Sequence, residues 1–163
     1  MSVESDLLKA VEDFLRSRNV RTRRSYKFNR VEIDLVGTGK YDIREDRAAD
    51  RDLLYAFEAK IATTQRLVRD VLEQAVTRLL FADYSIVVVP CVSEVWVSDK
   101  EKRNMDVAQE LKRRARGVYS QYLGIICVDG GTVKIVRRPT RSTIIIPEIR
   151  DRIIRELNNA VLF

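Results

Sequence analysis

Glu32 and Asp34 lie inside the apolar stretch Val31–Val36, and Glu58 and Lys60 lie inside Leu54–Ile61. These charged residues, set in runs that otherwise read as core strands, are the ones best placed to do chemistry. Successive side chains of a strand point to opposite faces, so Glu32 shares a face with Asp34, and Glu58 with Lys60. Pairing of the two strands would bring an Asp, a Glu and a Lys onto one patch. Such a patch suits a hard divalent cation and a phosphate: carboxylate oxygens hold the cation, and the ammonium offsets phosphate charge. The chain contains no histidine. That excludes His-based triads, His general bases and most transition-metal sites. Catalysis is left to carboxylates, lysine, hydroxyls or thiols.

The flanking pattern predicts the elements that must position this patch. Ser2 is placed to cap a helix to about Arg18, with Val3, Leu7, Leu8, Val11, Phe14 and Leu15 at helical spacing. Glu4 falls inside that apolar arc, which puts an acid on the inward face; favouring the positive end of the helix dipole is its simpler use. Val20–Phe28 reads as a strand loaded with Arg21, Arg23, Arg24 and Lys27, and Asn29-Arg30 turns it into Val31–Val36. Gly37-Thr38-Gly39 ends that strand, and Tyr41–Asp52 reads as a charged loop. Thr63 or Thr64 opens a helix to about Phe81, with Gln74 and Arg78 on one edge of its buried stripe. Ser85–Pro90 is a continuous apolar run, as expected of a strand covered on both faces in a parallel or mixed sheet. Ser98–Glu101 has the form of a capping box for a helix ending near Arg116, with Gly117 as the stop. Tyr122–Val128 and Thr132–Val136 flank the hairpin turn Asp129-Gly130-Gly131. Thr143–Ile146 is a short apolar run, and Pro147 suits the first turn of a last helix. The order predicts an α/β, three-layer-like sandwich with a central mixed β-sheet flanked by helices.

A chain of 163 residues has the length for one domain with a real core, here expected over about 3–137 with a C-terminal helical extension over about 147–163. With 45% hydrophobic and 33% charged residues it is globular rather than disordered in composition. No apolar run approaches the ~20 residues that cross a bilayer. The opening segment does not read as a signal peptide, so a cytoplasmic protein with no membrane partner is expected. Cys91 and Cys127 sit in apolar strand-like contexts and read as buried free thiols rather than a disulfide. Two cysteines without histidine cannot make a structural zinc site. The net charge of +6, carried more by arginine than lysine, suits a polyanionic partner.

Taken together, the pattern resembles the PD-(D/E)XK nuclease superfamily, and more closely its archaeal Holliday-junction-resolvase-like endonucleases. Carrying the resemblance are Glu4 on the first helix, Asp34 in Ile33-Asp34-Leu35-Val36, and Glu58-Ala59-Lys60. Gln74 in Leu72-Glu73-Gln74-Ala75, then Ala82-Asp83 and the strand Ile86–Pro90, complete it over roughly residues 3–90. An E-x-K tripeptide alone carries little weight; the ordered set carries it. Ile33 stands where the family name has Pro.

The resemblance implies a restriction-endonuclease-like core and a Mg²⁺- or Mn²⁺-dependent endonuclease hydrolysing DNA phosphodiester bonds, of branched or structured DNA in repair or recombination. It implies metal binding by Asp34, Glu58 and the Ala59 backbone carbonyl, with Glu4 reaching the ion directly or through water. Lys60 would orient the attacking water or stabilise transition-state charge, and Gln74 would steady the nucleophile or a phosphate. Arg21, Arg23, Arg24, Lys27 and Arg78 are the nucleic-acid-binding candidates. Without metal, Asp34 and Glu58 would repel one another, only partly compensated by Lys60. Glu32 takes a supporting role or pairs with an arginine such as Arg24. A homodimer is compatible with the resemblance, because junction-cutting members need two sites. Two other readings stand beside it: a catalytically inactive nucleic-acid-binding domain on the same fold, and a protein-assembly subunit using Ala160–Phe163 as a contact patch.

Overall fold

In the computed structural model, which describes residues 4–61 and 64–159, helices α1 (Glu4–Arg16), α2 (Gln65–Thr77), α3 (Val107–Arg114) and α4 (Pro147–Asn159) surround the strands. The strands are β1 (Arg21–Phe28), β2 (Val31–Asp42), β3 (Arg47–Ala59), β4 (Tyr84–Pro90), β5 (Ser93–Ser98), β6 (Glu101–Met105), β7 (Gly124–Asp129) and β8 (Thr132–Arg137). Six of them form one sheet in the order β1-β2-β3-β4-β7-β8, and β5-β6 is a separate hairpin. β3, β4 and β7 run parallel to one another, while β1, β2 and β8 pair antiparallel with their neighbours, so the sheet is mixed. The α/β sandwich expected from the pattern is the fold observed.

Alternation along the central strands sorts the core onto two faces. Tyr55, Phe57, Ile86, Val88 and Ile126 pack with Leu7, Val11 and Leu15 of α1. Val87, Val89, Ile125 and Cys127 point the other way, against α2 and α3. Leu54, Ala56 and Val36 share that second side with Ile153 and Leu157 of α4. α4 is therefore part of the core, not an appendage to it. Burying an aliphatic side chain of this size is worth about 1.5–3 kcal/mol, which is what holds the helices to the sheet. α4 is further tied down by Asp83, whose side chain is 1% exposed and takes bonds from Arg150 Nη2 (2.8 Å), Arg150 Nε (3.0 Å) and the Leu54 N–H (2.7 Å).

Several elements differ from the sequence reading. Tyr41–Asp52 is not a loop: β2 and β3 run on through it as a ribbon, closed by a turn with Asp46 in the left-handed region at φ 53°. Asp50-Arg51-Asp52 are three consecutive charged residues in β3 after the pair Ala48-Ala49, so the apolar alternation that marks a half-buried strand is missing there. Ser98–Glu101 does not start a helix. Ser98 Oγ accepts from Lys100 N–H within the β5–β6 turn, and α3 begins after Asp106, whose Oδ1 accepts the Gln109 N–H at 3.1 Å. The short apolar run Thr143–Ile146 is held at its two ends, where the Ser142 and Ile146 N–H groups donate to the Asp83 and Leu80 carbonyls. Cys91 and Cys127 are not free thiols but a disulfide, with Cα atoms 4.7 Å apart. Parallel pairing of β4 with β7 brings the two thiols within reach, a long-range juxtaposition that spacing alone does not reveal. The capping roles expected of Ser2 and Thr63, and the patch Ala160–Phe163, lie outside the described residues. Among the described residues no helix is long and apolar enough to cross a membrane.

Candidate active site

The β2–β3 ladder registers Leu35 opposite Phe57 and goes no further. One step beyond, Asp34 and Glu58 face each other where the strands part. β3 continues along β4 past this point, since the Lys60 N–H donates to the Val88 carbonyl at 2.9 Å. Alternate residues of a strand direct their main-chain groups to opposite neighbours, so Ala59 directs its N–H and C=O toward β2. No β2 carbonyl meets that N–H. The Asp34 carboxylate does, accepting it through Oδ2 at 2.9 Å. Asp34 thus stands in for a missing ladder acceptor and is held beside the Ala59 main chain. Glu58, Ala59 and Lys60 sit at the carboxyl end of a parallel strand, the end at which open α/β sheets bind ligands.

Glu58 is buried, its side chain 4% exposed, with Arg78 Nε 2.8 Å from Oε1. Arg78 follows α2 in a 3-10 turn (Arg78–Leu80) and also donates Nη2 to the Glu32 carbonyl (3.1 Å) and Nη1 to Thr77 Oγ1 (3.0 Å). Burial pushes the Glu58 carboxyl up to about 7, with Asp34 beside it adding to the rise and Arg78 opposing it. Asp34, Glu58 and the Ala59 carbonyl would offer an ion only oxygen donors, the kind Mg²⁺ and Mn²⁺ accept. A cation there would relieve the carboxylate repulsion that raises Glu58. The donor chemistry fits such an ion. The protein's own count is short, since no group of three or more acidic or cysteine side chains poised for a metal occurs among the described residues.

The other expected site residues are placed differently. Glu4 is exposed at the start of α1 rather than turned inward, and α1 covers the face of the sheet opposite Glu58. Gln74 is exposed on α2 and its side chain has no partner among the described residues, while Arg78, one turn on, is the residue that reaches Glu58. Arg78 is therefore not a surface cation available to nucleic acid. Lys60 is half-buried, next along β3 on the side of Glu58. Glu32 is exposed and registers opposite Lys27. It does not share a simple face with Asp34. Ser25, opposite Asp34, is left-handed at φ 50°, and both strands change face there: Leu35 joins the α1 side and Ile33 the α4 side. Arg24 is bound to Glu12 of α1, Nε to Oε1 at 2.7 Å, and not to Glu32. Arg21, Arg23 and Lys27 remain exposed on the edge strand β1. Edge-strand cations also block unwanted strand pairing, so their exposure is not specific to a partner.

No protein-family model matches the chain. No curated protein sequence matches it either. A solved structure of a protein of unknown function from Silicibacter pomeroyi is similar in fold, with a TM-score of 0.62 at 13% identity, over 99% of this chain and 88% of that one. At that identity the likeness concerns the fold alone.

Proposed function

We propose that the chain is a Mg²⁺- or Mn²⁺-dependent endonuclease that hydrolyses DNA phosphodiester bonds, with branched or otherwise structured DNA as its substrate class. The observation that carries this reading is the meeting of Asp34 and Glu58 at the parting of β2 and β3, with the Asp34 carboxylate held on the Ala59 N–H and Lys60 next along the strand. When bound, the divalent ion supplies polarisation of the phosphoryl group and a more acidic water. Asp34, Glu58 and the Ala59 carbonyl would hold it. The Ala59 N–H fixes the Asp34 carboxylate, and burial keeps water from competing for Glu58. Lys60 would hold the attacking water in line or meet the charge that grows on the phosphate. Exposed Arg23 and Lys27 would contact the DNA backbone.

Two observations favour a second reading. Arg78 already neutralises Glu58, and Glu4 does not join the acidic pair. A catalytically inactive nucleic-acid-binding domain on the same fold would be built this way. The two readings separate in one experiment. Supercoiled plasmid and synthetic four-way junctions are incubated with the protein in Mn²⁺ or Mg²⁺, beside Asp34→Ala and Lys60→Ala. The nuclease reading expects metal-dependent cleavage that both substitutions abolish. Cleavage that survives both sinks the site assignment, and DNA binding without cleavage in either metal favours the inactive domain.

A further inference from the structure

A cavity of about 660 Å³ opens at the far end of the β2–β3 ribbon from the acidic pair. Thr38 is four residues from Asp34, roughly 13 Å along an extended strand. β1 ends its ladder with Arg21 opposite Thr38, so the β2 edge from Gly39 onward has no β1 partner. Into this gap come Arg18 from the turn after α1, Arg21 from β1, Lys40 from β2, Arg47 from β3 and Asn158 from α4. Gly39 lets the floor close tightly: a Cβ there would stand 3.0 Å from the Asn19 carbonyl oxygen.

The lining is predominantly cationic. Arg18, Arg21, Lys40 and Arg47 face Asp46 and Asp52 as the opposing acids. Asp46 is occupied, accepting the Tyr41 hydroxyl at 2.7 Å. Arg18 is pre-set, with Nη1 on the Phe14 carbonyl (2.9 Å) and its guanidinium over the Phe14 ring at 3.7 Å. Lys40 and Arg47 are exposed and have no ion-pair or hydrogen-bonding partner among the described residues. The decisive feature is Thr38. It is 2% exposed and lines the cavity, and its Oγ1 is buried with no hydrogen-bond partner. An orphaned buried hydroxyl carries a cost of about 1–3 kcal/mol, which a partner reaching it from the cavity would recover.

We infer that this cavity binds a phosphate group, with Arg18, Arg21, Lys40 and Arg47 as its cations and Thr38 as a buried hydroxyl partner. Guanidinium forks and an ammonium are the side chains that grip phosphate oxygens, and the volume admits a nucleoside phosphate. The phosphate belongs either to a small molecule or to a nucleic-acid backbone, and the site is independent of Asp34 and Glu58.

Titration of the full chain with pyrophosphate, followed by amide NMR, tests this. Expected are shifts concentrated at Thr38–Tyr41 and Asp46–Ala48, and at least about a tenfold loss of affinity in the Lys40→Gln/Arg47→Gln variant. Both residues are exposed and unpartnered, so this variant should fold as the wild type does. Thr38→Val, nearly isosteric, should weaken binding about threefold or more and leave the unliganded protein at least as stable. Asp34→Ala should bind as the wild type. A nucleoside diphosphate and a short single-stranded oligodeoxynucleotide then compete separately. Displacement by the former alone identifies a small-molecule ligand; displacement by the latter, lost in the double variant, identifies backbone phosphate. Shifts confined to other residues, or an affinity that the double variant leaves unchanged, overturn the proposal.

Discussion

Glu58 is a carboxylate in a place that resists its charge. Its ordinary value of 4.5 is pushed up to about 7 by burial and by Asp34, in spite of the Arg78 guanidinium 2.8 Å away. The folded chain therefore binds this proton more tightly than the unfolded chain does. The stabilisation is complete below the unfolded value of 4.5 and is lost as pH rises through about 7. In metal-free protein, urea unfolding should show stability falling between about pH 5 and pH 8 by up to ~3 kcal/mol, and Glu58→Gln should flatten that fall. A wild-type profile already flat over this range would show that Glu58 ionises without cost. Mn²⁺ binds the ionised pair, so on the nuclease reading it should restore stability most at the high end of the range. Arg78 belongs to the same balance. Helical phase puts it beside Gln74 on one edge of the buried stripe, but a phase angle does not say how far a side chain reaches. Arg78 extends along the second face of the sheet to Glu58 and the Glu32 carbonyl, while Gln74 stays in solvent.

Two elements show where local pattern and tertiary context part company. The Ser98–Glu101 motif meets the pattern of a helix start, yet Glu101–Met105 pairs with β5 because Val95 is fully buried in the α2–α3 core and Trp96 bridges Thr64. The hairpin is set by what it packs on. Its surroundings are closed by Cys91–Cys127, which span 36 residues enclosing β5, β6 and α3. By the loop-closure argument, reduction should lower unfolding stability by about 2–4 kcal/mol, and Cys91→Ala/Cys127→Ala should match the reduced wild type. Equal urea midpoints with and without reductant would show the bond contributes nothing. α4 depends on a different lock. Removing Arg150 leaves Asp83, buried inside the fold, without its closest cation. Arg150→Ala should cost about 3–5 kcal/mol and speed amide exchange in α4 and β1. Replacing both partners, as Asp83→Asn with Arg150→Met, should recover part of that loss.

At the scale of the molecule, a net charge of +6 distributes unevenly among paired and unpaired cations. Arg24, Arg78 and Arg150 are consumed by internal acids, whereas Arg23 and Lys27 face solvent. If duplex DNA binds along β1, Arg23→Gln/Lys27→Gln should reduce the slope of log affinity against log salt by about 2, and Arg24→Gln should leave it nearly unchanged. Equal slopes for all three proteins would remove β1 from the interface. Helices α1, α2 and α4, the central strands and the Gly130–Gly131 hairpin were legible in the chain, because apolar period, Thr64, Pro147 and the left-handed glycines act over a few residues. With no histidine, the acids set in apolar runs stand out in the chain as candidates for chemistry. The tertiary structure decided which of them meet. Asp34 and Glu58 come together through a register set by the whole β2–β3 ribbon. Glu4 is carried away because α1 packs on the other face, and Arg78, Thr38 and the two cysteines acquire their partners or lose them by burial across long sequence distances. Periodicity along a chain specifies which way a side chain points within its own element; only the packing of elements fixes what lies at the end of it.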